Sequence, residues 1–365
     1  MFADKSSNDD RPARLKAARA EIDAINLDLL EGFNRRLKIV RQVRALKSDQ
    51  GLPLYDPVRE ADEIRSLLLA NRDPHSALLV ERVFKEIFRA SLESMQVPVR
   101  KAADRPLAAP RTISVGGVPI GGGAPPVIIA GPCAVEGPEI LRETASGLAE
   151  RGVKILRGGG FKPRTSPYSF QGLGMDGVRL LAEVAGELGL VTVSEITSPT
   201  QIEDFADLVD LIQVGARNMY NYELLKALGP VQRPVLLKRH FGATVDEWLL
   251  AAEYLVSSGN DQVILCERGI RTFERETRNT LDLSAVAVVK ERCGLPVVVD
   301  VSHAAGRRDI LVPLARAALA VGADGVMVEV HSWPAGALSD GDQQLDLSGF
   351  DDFLEGIRPL LKTSS

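Results

Sequence analysis

The sequence predicts an α/β protein: a closed (β/α)8 barrel preceded by a small all-α unit of three helices. Three observations carry this expectation. Eight short runs rich in β-branched residues recur from residue 127 onward, most of them separated by helix-length segments. These runs are continuously apolar instead of alternating, the pattern of parallel strands buried on both faces. Residues 12–96, in contrast, contain few glycines, and their apolar residues recur at helical spacing.

In the N-terminal part, Leu15, Ile22, Ile25, Leu29, Leu30, Phe33, Leu37, Val40 and Val43 predict one long helix, ended by Asp49-Gln50-Gly51. Asp56-Pro57 has the N-cap and first-turn signature of a second helix. Asp73-Pro74 opens a third, which carries Leu78, Leu79, Val83, Phe84, Ile87 and Leu92. So thin a unit leaves an apolar stripe to cover, and a homodimer or homotetramer is expected. Residues 97–126 read as a Pro/Gly-rich linker in which TISV-GG-VPI forms a short β-hairpin. The expected boundaries are therefore 1–96 for the helical unit, 97–126 for the linker and 127–365 for the barrel. Within the barrel, strands are expected at 127–131, 154–158, 191–195, 211–215, 234–239, 262–268, 296–303 and 325–331. A doubly wound sheet is the alternative, but no glycine-rich dinucleotide loop follows the first run.

Composition narrows the function. A net charge of -5 with 25% charged residues shows no bias toward nucleic acid or a membrane surface. No apolar run approaches the ~20 residues of a membrane helix. The opening MFADKSSNDDRPAR has no apolar signal-peptide core, so a cytoplasmic location is expected. Three cysteines are too few and too scattered for a disulfide framework, which leaves at least one thiol free for chemistry.

Barrels of this kind place working residues at the C-terminal strand ends. Polar residues gather there: Cys133, Arg157 with Lys162, Glu195, Arg217, Lys238 with Arg239, Glu267 with Arg268, Asp300 with His303, and Glu329 with His331. The cations Arg157, Lys162, Arg164, Arg217, Lys238 and Arg268 suit a multiply anionic ligand carrying phosphate and carboxylate. Rim salt bridges are the plainer alternative. Cys133, His303, Glu329 and Asp340 offer sulfur, nitrogen and oxygen donors suited to a divalent ion such as Mn²⁺, Fe²⁺, Co²⁺ or Zn²⁺. A buried cysteine, a satisfied histidine and surface carboxylates are the plainer alternative for that set.

These residues lie in long, unusual strings: GPCAVEG (131–137), KILRGGGFKPRTSPYSFQGLG (154–174), QVGARN (213–218), LLKR (236–239), ILCERGIRTFE (264–274), VDVSHAAGRRD (299–309) and LSDG (338–341). Over about 110–360 they resemble the type Iβ 3-deoxy-D-arabino-heptulosonate 7-phosphate (DAHP) synthase family, TIM-barrel enzymes of the shikimate pathway. The resemblance implies metal-dependent condensation of phosphoenolpyruvate with erythrose 4-phosphate and release of phosphate. It implies that Cys133, His303, Glu329 and Asp340 hold the metal, Mn²⁺ first among the candidates. Arg157, Lys162, Arg217, Lys238 and Arg268 would hold phosphoenolpyruvate. Pro163, Arg164, Thr165 and Ser166, with Asp300, would receive the aldose phosphate. The catalytic set it implies is Cys133, Lys162, Glu195, Lys238 and His303, with the metal or Glu195 placing the water that adds at C2.

Arg19, Arg36, Lys47, Asp56, Arg59 and Glu60 resemble the ligand cluster of all-helical (AroQ-type) chorismate mutases, which are fused N-terminally in one subgroup of these synthases. The resemblance implies chorismate or prephenate as ligand. Arg36 and Lys47 fall on one helix face ~16 Å apart, near enough to clasp a dicarboxylate, whereas Arg19 lies ~25 Å from Arg36 and would reach a partner's site. Three positions depart from the family patterns. Met95 stands where the mutases carry Gln or Glu, and Gln96, one residue on, is rotated by ~100°. His240 replaces the glycine after Lys-Arg, where a special φ or a close backbone approach is expected. His331-Ser332-Trp333-Pro334 replaces a His-Pro-x-Pro string. The helical unit is accordingly expected to be a weakly active mutase or a ligand sensor. The alternative for the barrel is a related synthase using another aldose phosphate.

Overall fold

The structure is a computed structural model that describes residues 11–49, 57–73, 76–95, 110–163 and 168–361. Asp56, Gln96, Arg164, Thr165 and Ser166, with residues 97–109 of the expected linker, lie outside the described residues. The chain divides into two compact units, Met1–Val99 and Arg100–Ser365. No helix among the described residues is long and apolar enough to cross a membrane.

The first unit contains helices α1 (Arg11–Asp49), α2 (Pro57–Ala70) and α3 (Ala77–Met95). Among the described residues its buried apolar side chains are Ile64 and Phe88. Arg36 of α1 lies over the Phe88 ring at 4.9 Å from the centroid and donates to Ser91 Oγ, which ties α1 to α3. Leu15, Ile22, Ile25, Leu29 and Leu30 remain exposed along α1. Helix α3 is preceded by a turn in which the Ser76 N–H donates to the Asp73 carbonyl at 3.2 Å, so the first helical-type bond spans the expected Asp73-Pro74 start. Asn71 braces that turn: its side chain accepts from the Asp73 N–H and donates to the Asp73 carbonyl, and Ser76 Oγ donates to that same carbonyl at 2.9 Å.

The second unit opens with the hairpin β1 (Thr112–Val115) and β2 (Val118–Gly121). Gly116 and Gly117 between them have φ of 54° and 87°, the positive values that a two-residue turn matching the strand twist requires. There follow β3 (Val127–Gly131), α4 (Pro138–Glu150), β4 (Ile155–Arg157), α5 (Met175–Leu188), β5 (Val191–Ile196) and α6 (Ile202–Leu208). The chain continues through β6 (Leu211–Val214), α7 (Tyr222–Ala227), β7 (Val235–Lys238), α8 (Val245–Ser257), β8 (Val263–Glu267) and α9 (Leu283–Arg292). It ends with β9 (Val297–Asp300), α10 (Val301–Ala305), α11 (Leu311–Ala320), β10 (Gly325–Glu329) and α12 (Leu347–Ile357). All eight barrel strands pair parallel in chain order, and β10 closes on β3.

The strand expected at 296–303 is corrected. It ends at Asp300, whose carboxylate accepts from the His303 N–H at 3.0 Å and so caps the short helix α10. His303 therefore sits on a helical turn, not on a strand. Its carbonyl accepts from both Arg268 and Asn279 at 3.2 Å.

Continuous apolarity in the strands follows from closure. Inward-facing Ile129, Ile155, Val193, Leu211, Leu236, Ile264, Val298 and Met327 meet in the barrel interior. Ile113, Val115 and Ile120 of the hairpin join that cluster and floor the barrel at the N-terminal strand ends. The intervening residues, among them Leu156, Ile212, Leu237, Leu265 and Val328, pack outward with Leu181, Phe205, Trp248 and Phe350 of the helical layer. Both rows are shielded from solvent, so a polar residue below the mouth needs a hydrogen-bond partner, as Thr192 has in Asp210 and Ser194 in the Gly158 carbonyl.

Ile120 is fully buried in the floor. Truncation by Ile120→Ala should destabilise the barrel by about 2–5 kcal/mol. Chemical denaturation measures this against Phe273→Ala, an exposed site expected to change stability by less than about 0.5 kcal/mol.

Candidate active site

Successive inward positions on a strand are two residues apart. Two residues above the apolar floor stand Arg157 on β4, Glu195 on β5, Gln213 on β6, Lys238 on β7, Asp300 on β9 and Glu329 on β10, while on β8 buried Cys266 fills that position and Arg268 follows two residues further, just past the strand. The site is thus the next tier of the same inward rows. Gln213 was not expected from sequence, although this two-residue count points to it. It donates to Glu195 Oε2 at 3.1 Å.

The same count separates Arg239 and Glu267 from the mouth. They have the opposite parity and face the helices. Arg239 Nη1 donates to Glu267 Oε2 at 3.0 Å and to Asp282 Oδ2 at 2.9 Å, with Trp248 at 5.8 Å from its guanidinium. Burial raises the Glu267 pKa, against the pull of Arg239. His331 is likewise occupied elsewhere: Nδ1 accepts from the Trp333 N–H at 2.9 Å, and Nε2 lies 3.4 Å from Glu136.

On the opposite side of the mouth, Cys133, His303, Glu329 and Asp340 bring donor atoms within 4.8 Å of one another. Their local sequences explain how. Cys133 follows a sharp exit from β3 at Gly131, where φ is 146° and a Cβ would fall 2.1 Å from the Arg157 carbonyl oxygen. Asp340 has φ 53°, the one positive value at a non-glycine among the described residues. Its Oδ2 accepts from the Cys133 thiol at 2.8 Å. Lys162 Nζ reaches Cys133 Sγ at 2.8 Å, and Arg157 donates to Glu329 Oε1 at 2.8 Å.

Electrostatics suit a cation here. Burial pushes the Cys133 thiol up to about 12, with Glu329 adding to the effect. Burial takes His303 down to about 4, so its ring is neutral near pH 7, the form that ligates. Burial opposes ionisation of Glu329, but His303, Arg157 and Lys162 outweigh it and hold the carboxyl near 2. His303 Nδ1 lies 2.9 Å from Asp300 Oδ2 but out of line for a hydrogen bond. It is a buried nitrogen without a hydrogen-bond partner. A thiol, a neutral imidazole with an orphaned nitrogen and two ionised carboxylates fit a borderline divalent ion. Binding there would displace the thiol proton.

Next to this cluster is a cavity of about 210 Å³ lined by Lys162, Glu195, Arg217, Lys238, Arg268 and His303. Pro163 lines it as well, whereas Arg164, Thr165 and Ser166 fall outside the described residues. Phe241, Arg271 and Arg278 also line it and were not expected from sequence. Lys238 donates to Asp300 Oδ2 from within the barrel. His240 flanks this side, with its ring 4.1 Å from that of Phe241 and its Nδ1 accepting from the Gly242 N–H at 3.1 Å. Its φ is not positive, so the backbone strain expected from replacing glycine is not there. Trp333 is exposed.

In the helical unit, Arg36 is held against α3, Arg19 is exposed, and Arg59 and Glu60 occupy the first turn of α2. Lys47 lies in the last turn of α1.

The fold and site define a class in geometry: a closed parallel (β/α)8 barrel that sets a mixed sulfur–nitrogen–oxygen donor cluster beside a ring of cations. Residues 96–362 match the DAHP synthetase I family, and residues 18–96 match the family of type II chorismate mutases. The chain belongs to the DAHP synthetase I family. It is 54% identical over 248 residues to the phospho-2-dehydro-3-deoxyheptonate aldolase of Thermotoga maritima, covering 68% of this chain and 73% of that one. Identity to the 2-dehydro-3-deoxyphosphooctonate aldolase of Geobacter sulfurreducens is 34% over 275 residues, covering 68% of this chain and 97% of that one. A crystal structure of the Thermotoga maritima DAHP synthase superposes with a TM-score of 0.67 at 52% identity, covering 70% and 74% of the two chains.

Two outcomes test this geometry. Cys133→Ala should keep its far-ultraviolet circular dichroism yet fail to retain Mn²⁺ or Co²⁺ through desalting; stoichiometric metal in that variant would remove Cys133 from the ligand set. Arg239→Met leaves Glu267 buried without its partner and should lower stability by roughly 3–5 kcal/mol, read from the denaturation midpoint.

Proposed function

We propose that this chain condenses phosphoenolpyruvate with erythrose 4-phosphate to give DAHP and inorganic phosphate, acting in the cytoplasm as the first step of the shikimate pathway. The observation that carries this reading is the contact between the two halves of the mouth. Lys162 Nζ, 2.8 Å from Cys133 Sγ, stands between the donor cluster and the cation-lined cavity.

Cys133, His303, Glu329 and Asp340 would hold the divalent ion, Mn²⁺ first among the candidates. Bound there, such an ion supplies Lewis-acid polarisation of a carbonyl oxygen. Arg157, Lys162, Arg217, Lys238 and Arg268 hold the phosphate and carboxylate of phosphoenolpyruvate, and the arginines can do so bidentately. Pro163 and the three residues after it, with Asp300, receive the aldose phosphate. C3 of phosphoenolpyruvate bonds to the aldehyde carbon, and Lys162 Nζ delivers a proton to the aldehyde oxygen. Positive charge at C2 is relieved by water, which Glu195 orients and deprotonates. The C2–O bond to phosphate then breaks as the new C2 hydroxyl gives up its proton to the departing phosphate, leaving a ketone and inorganic phosphate. The cations act with little reorganisation because the barrel wall already fixes them.

The helical unit, residues 1–96, would act as a separate regulatory domain, joined to the barrel through 97–126 and binding chorismate or prephenate with the Arg36 and Lys47 pair. Met95 can supply no strong hydrogen bond to a breaking ether bond, which favours sensing over mutase turnover. The exposed apolar residues of α1 support a homo-oligomer. The lower identity to the phosphooctonate aldolases does not favour a different aldose phosphate.

Phosphate release from phosphoenolpyruvate with erythrose 4-phosphate and Mn²⁺ tests the reading. Turnover should be lost with chelator and reduced by prephenate; metal-loaded protein that releases no phosphate would sink it. A second outcome concerns Glu195. A Cβ at Gly215 would fall 1.9 Å from Glu195 Oε1, so Gly215→Ala must displace that carboxylate. The variant should lose roughly 100-fold in kcat with little change in KM for either substrate.

A further inference from the structure

The segment after Asp340 reads Gly341-Asp342-Gln343-Gln344, and both glutamines are buried although neither lines the mouth cavity. Buried amides persist where every polar group is used. Gln343 Nε2 donates to Glu329 Oε2, and Gln343 Oε1 accepts from Arg278 Nη1 at 3.0 Å. The same Arg278 nitrogen lies 3.3 Å from Asp340 Oδ1. Gln344 works on the other side: its Oε1 accepts from the Cys133 N–H at 2.9 Å, and its Nε2 donates to the Ser339 carbonyl at 2.8 Å. Arg308 donates to the carbonyls of Gly341 and Asp342, fixing the turn itself.

The carboxylates therefore divide their oxygens. Asp340 gives Oδ1 to Arg278 and turns Oδ2 toward Cys133; Glu329 gives Oε2 to Gln343 and turns Oε1 toward His303 and Arg157. Asp340 does this from a left-handed backbone conformation, which persists only where the surroundings over-determine it.

We propose that Gln343, braced by Arg278, is a positioning residue that sets the affinity of the donor cluster for its divalent ion by holding Glu329 and Asp340 in one relative orientation. Gln344 does the corresponding work for the Cys133 backbone. The inference rests on the proposed function only in taking the cluster to be a metal site.

Chelator competition with Mn²⁺ and Co²⁺ on the full chain tests it. Gln343→Met keeps the length and apolar volume of the side chain but removes both hydrogen bonds. The variant should bind either ion roughly 10–100-fold more weakly than the parent. The visible spectrum of bound Co²⁺ should shift, because ligand orientation changes, whereas a merely structural role would leave it unmoved. At saturating Mn²⁺ the KM for phosphoenolpyruvate should stay within twofold. A Gln343→Met chain that binds both ions as the parent does, with the parental Co²⁺ spectrum, overturns the proposal. Should that variant not fold without metal, Arg278→Met carries the metal-affinity and Co²⁺-spectrum arms alone, without the KM arm because Arg278 lines the mouth cavity; its side chain is 38% exposed and leaves no buried void. A parent chain that itself binds neither ion would instead refute the metal site, a result distinct from failure of the clamp.

Discussion

Closing eight parallel strands into a barrel gives each strand one inward row, with a period of two residues. The rest of this protein's site depends on that constraint. Apolar residues occupy the lower positions of each row, sealed by the hairpin. The next position up on most strands carries a charge or an amide. A one-residue slip in any strand would exchange these side chains with those facing the helical layer, so register and chemistry are a single specification.

That specification has an energetic cost. Arg157 with Glu329, and Lys238 with Asp300, are ion pairs taken almost wholly out of water. Desolvation penalises each charge by several kcal/mol, and pairing offsets this only when the geometry is complete. The apolar floor and the layer around Trp248, Phe205 and Phe350 provide the burial against which such a tier can be maintained. In return the cations are fixed in a low-dielectric wall, where their effect on developing charge exceeds what it would be in water. The donor cluster follows the same logic. Burial keeps His303 neutral near pH 7; against burial, interactions with His303, Arg157 and Lys162 lower the Glu329 pKa, and the hydrogen bond from Cys133, with Lys162 adding to it, lowers that of Asp340.

The helical unit is built on different terms. It buries few apolar side chains among the described residues and leaves a row of leucine and isoleucine side chains on α1 in water. Arg36 lies over the Phe88 ring and donates to Ser91, and on the surface Arg65 pairs with Asp62 and Lys85 with Glu81. A thin three-helix unit of this kind gains most of its stability from whatever surface covers the stripe.

Much was legible in the sequence alone. The eight strands could be read because burial on both faces demands continuous apolarity, which leaves a local record in composition. The three helices could be read from their period, and Cys133, His303, Glu329 and Asp340 from mixed donor chemistry on three expected strand ends and one following loop. What only the tertiary structure decided was direction. Arg239 and Glu267 sit among mouth residues in the chain, yet closure turns them to the helices, because parity has meaning only once the inside is defined. Whether His303 ends a strand or begins a helix depended on one carboxylate, Asp300, capping a turn. Gln213, Arg278, Gln343 and Gln344 acquire their roles through contacts with residues distant in the chain, and no local pattern encodes a hydrogen bond formed across a barrel.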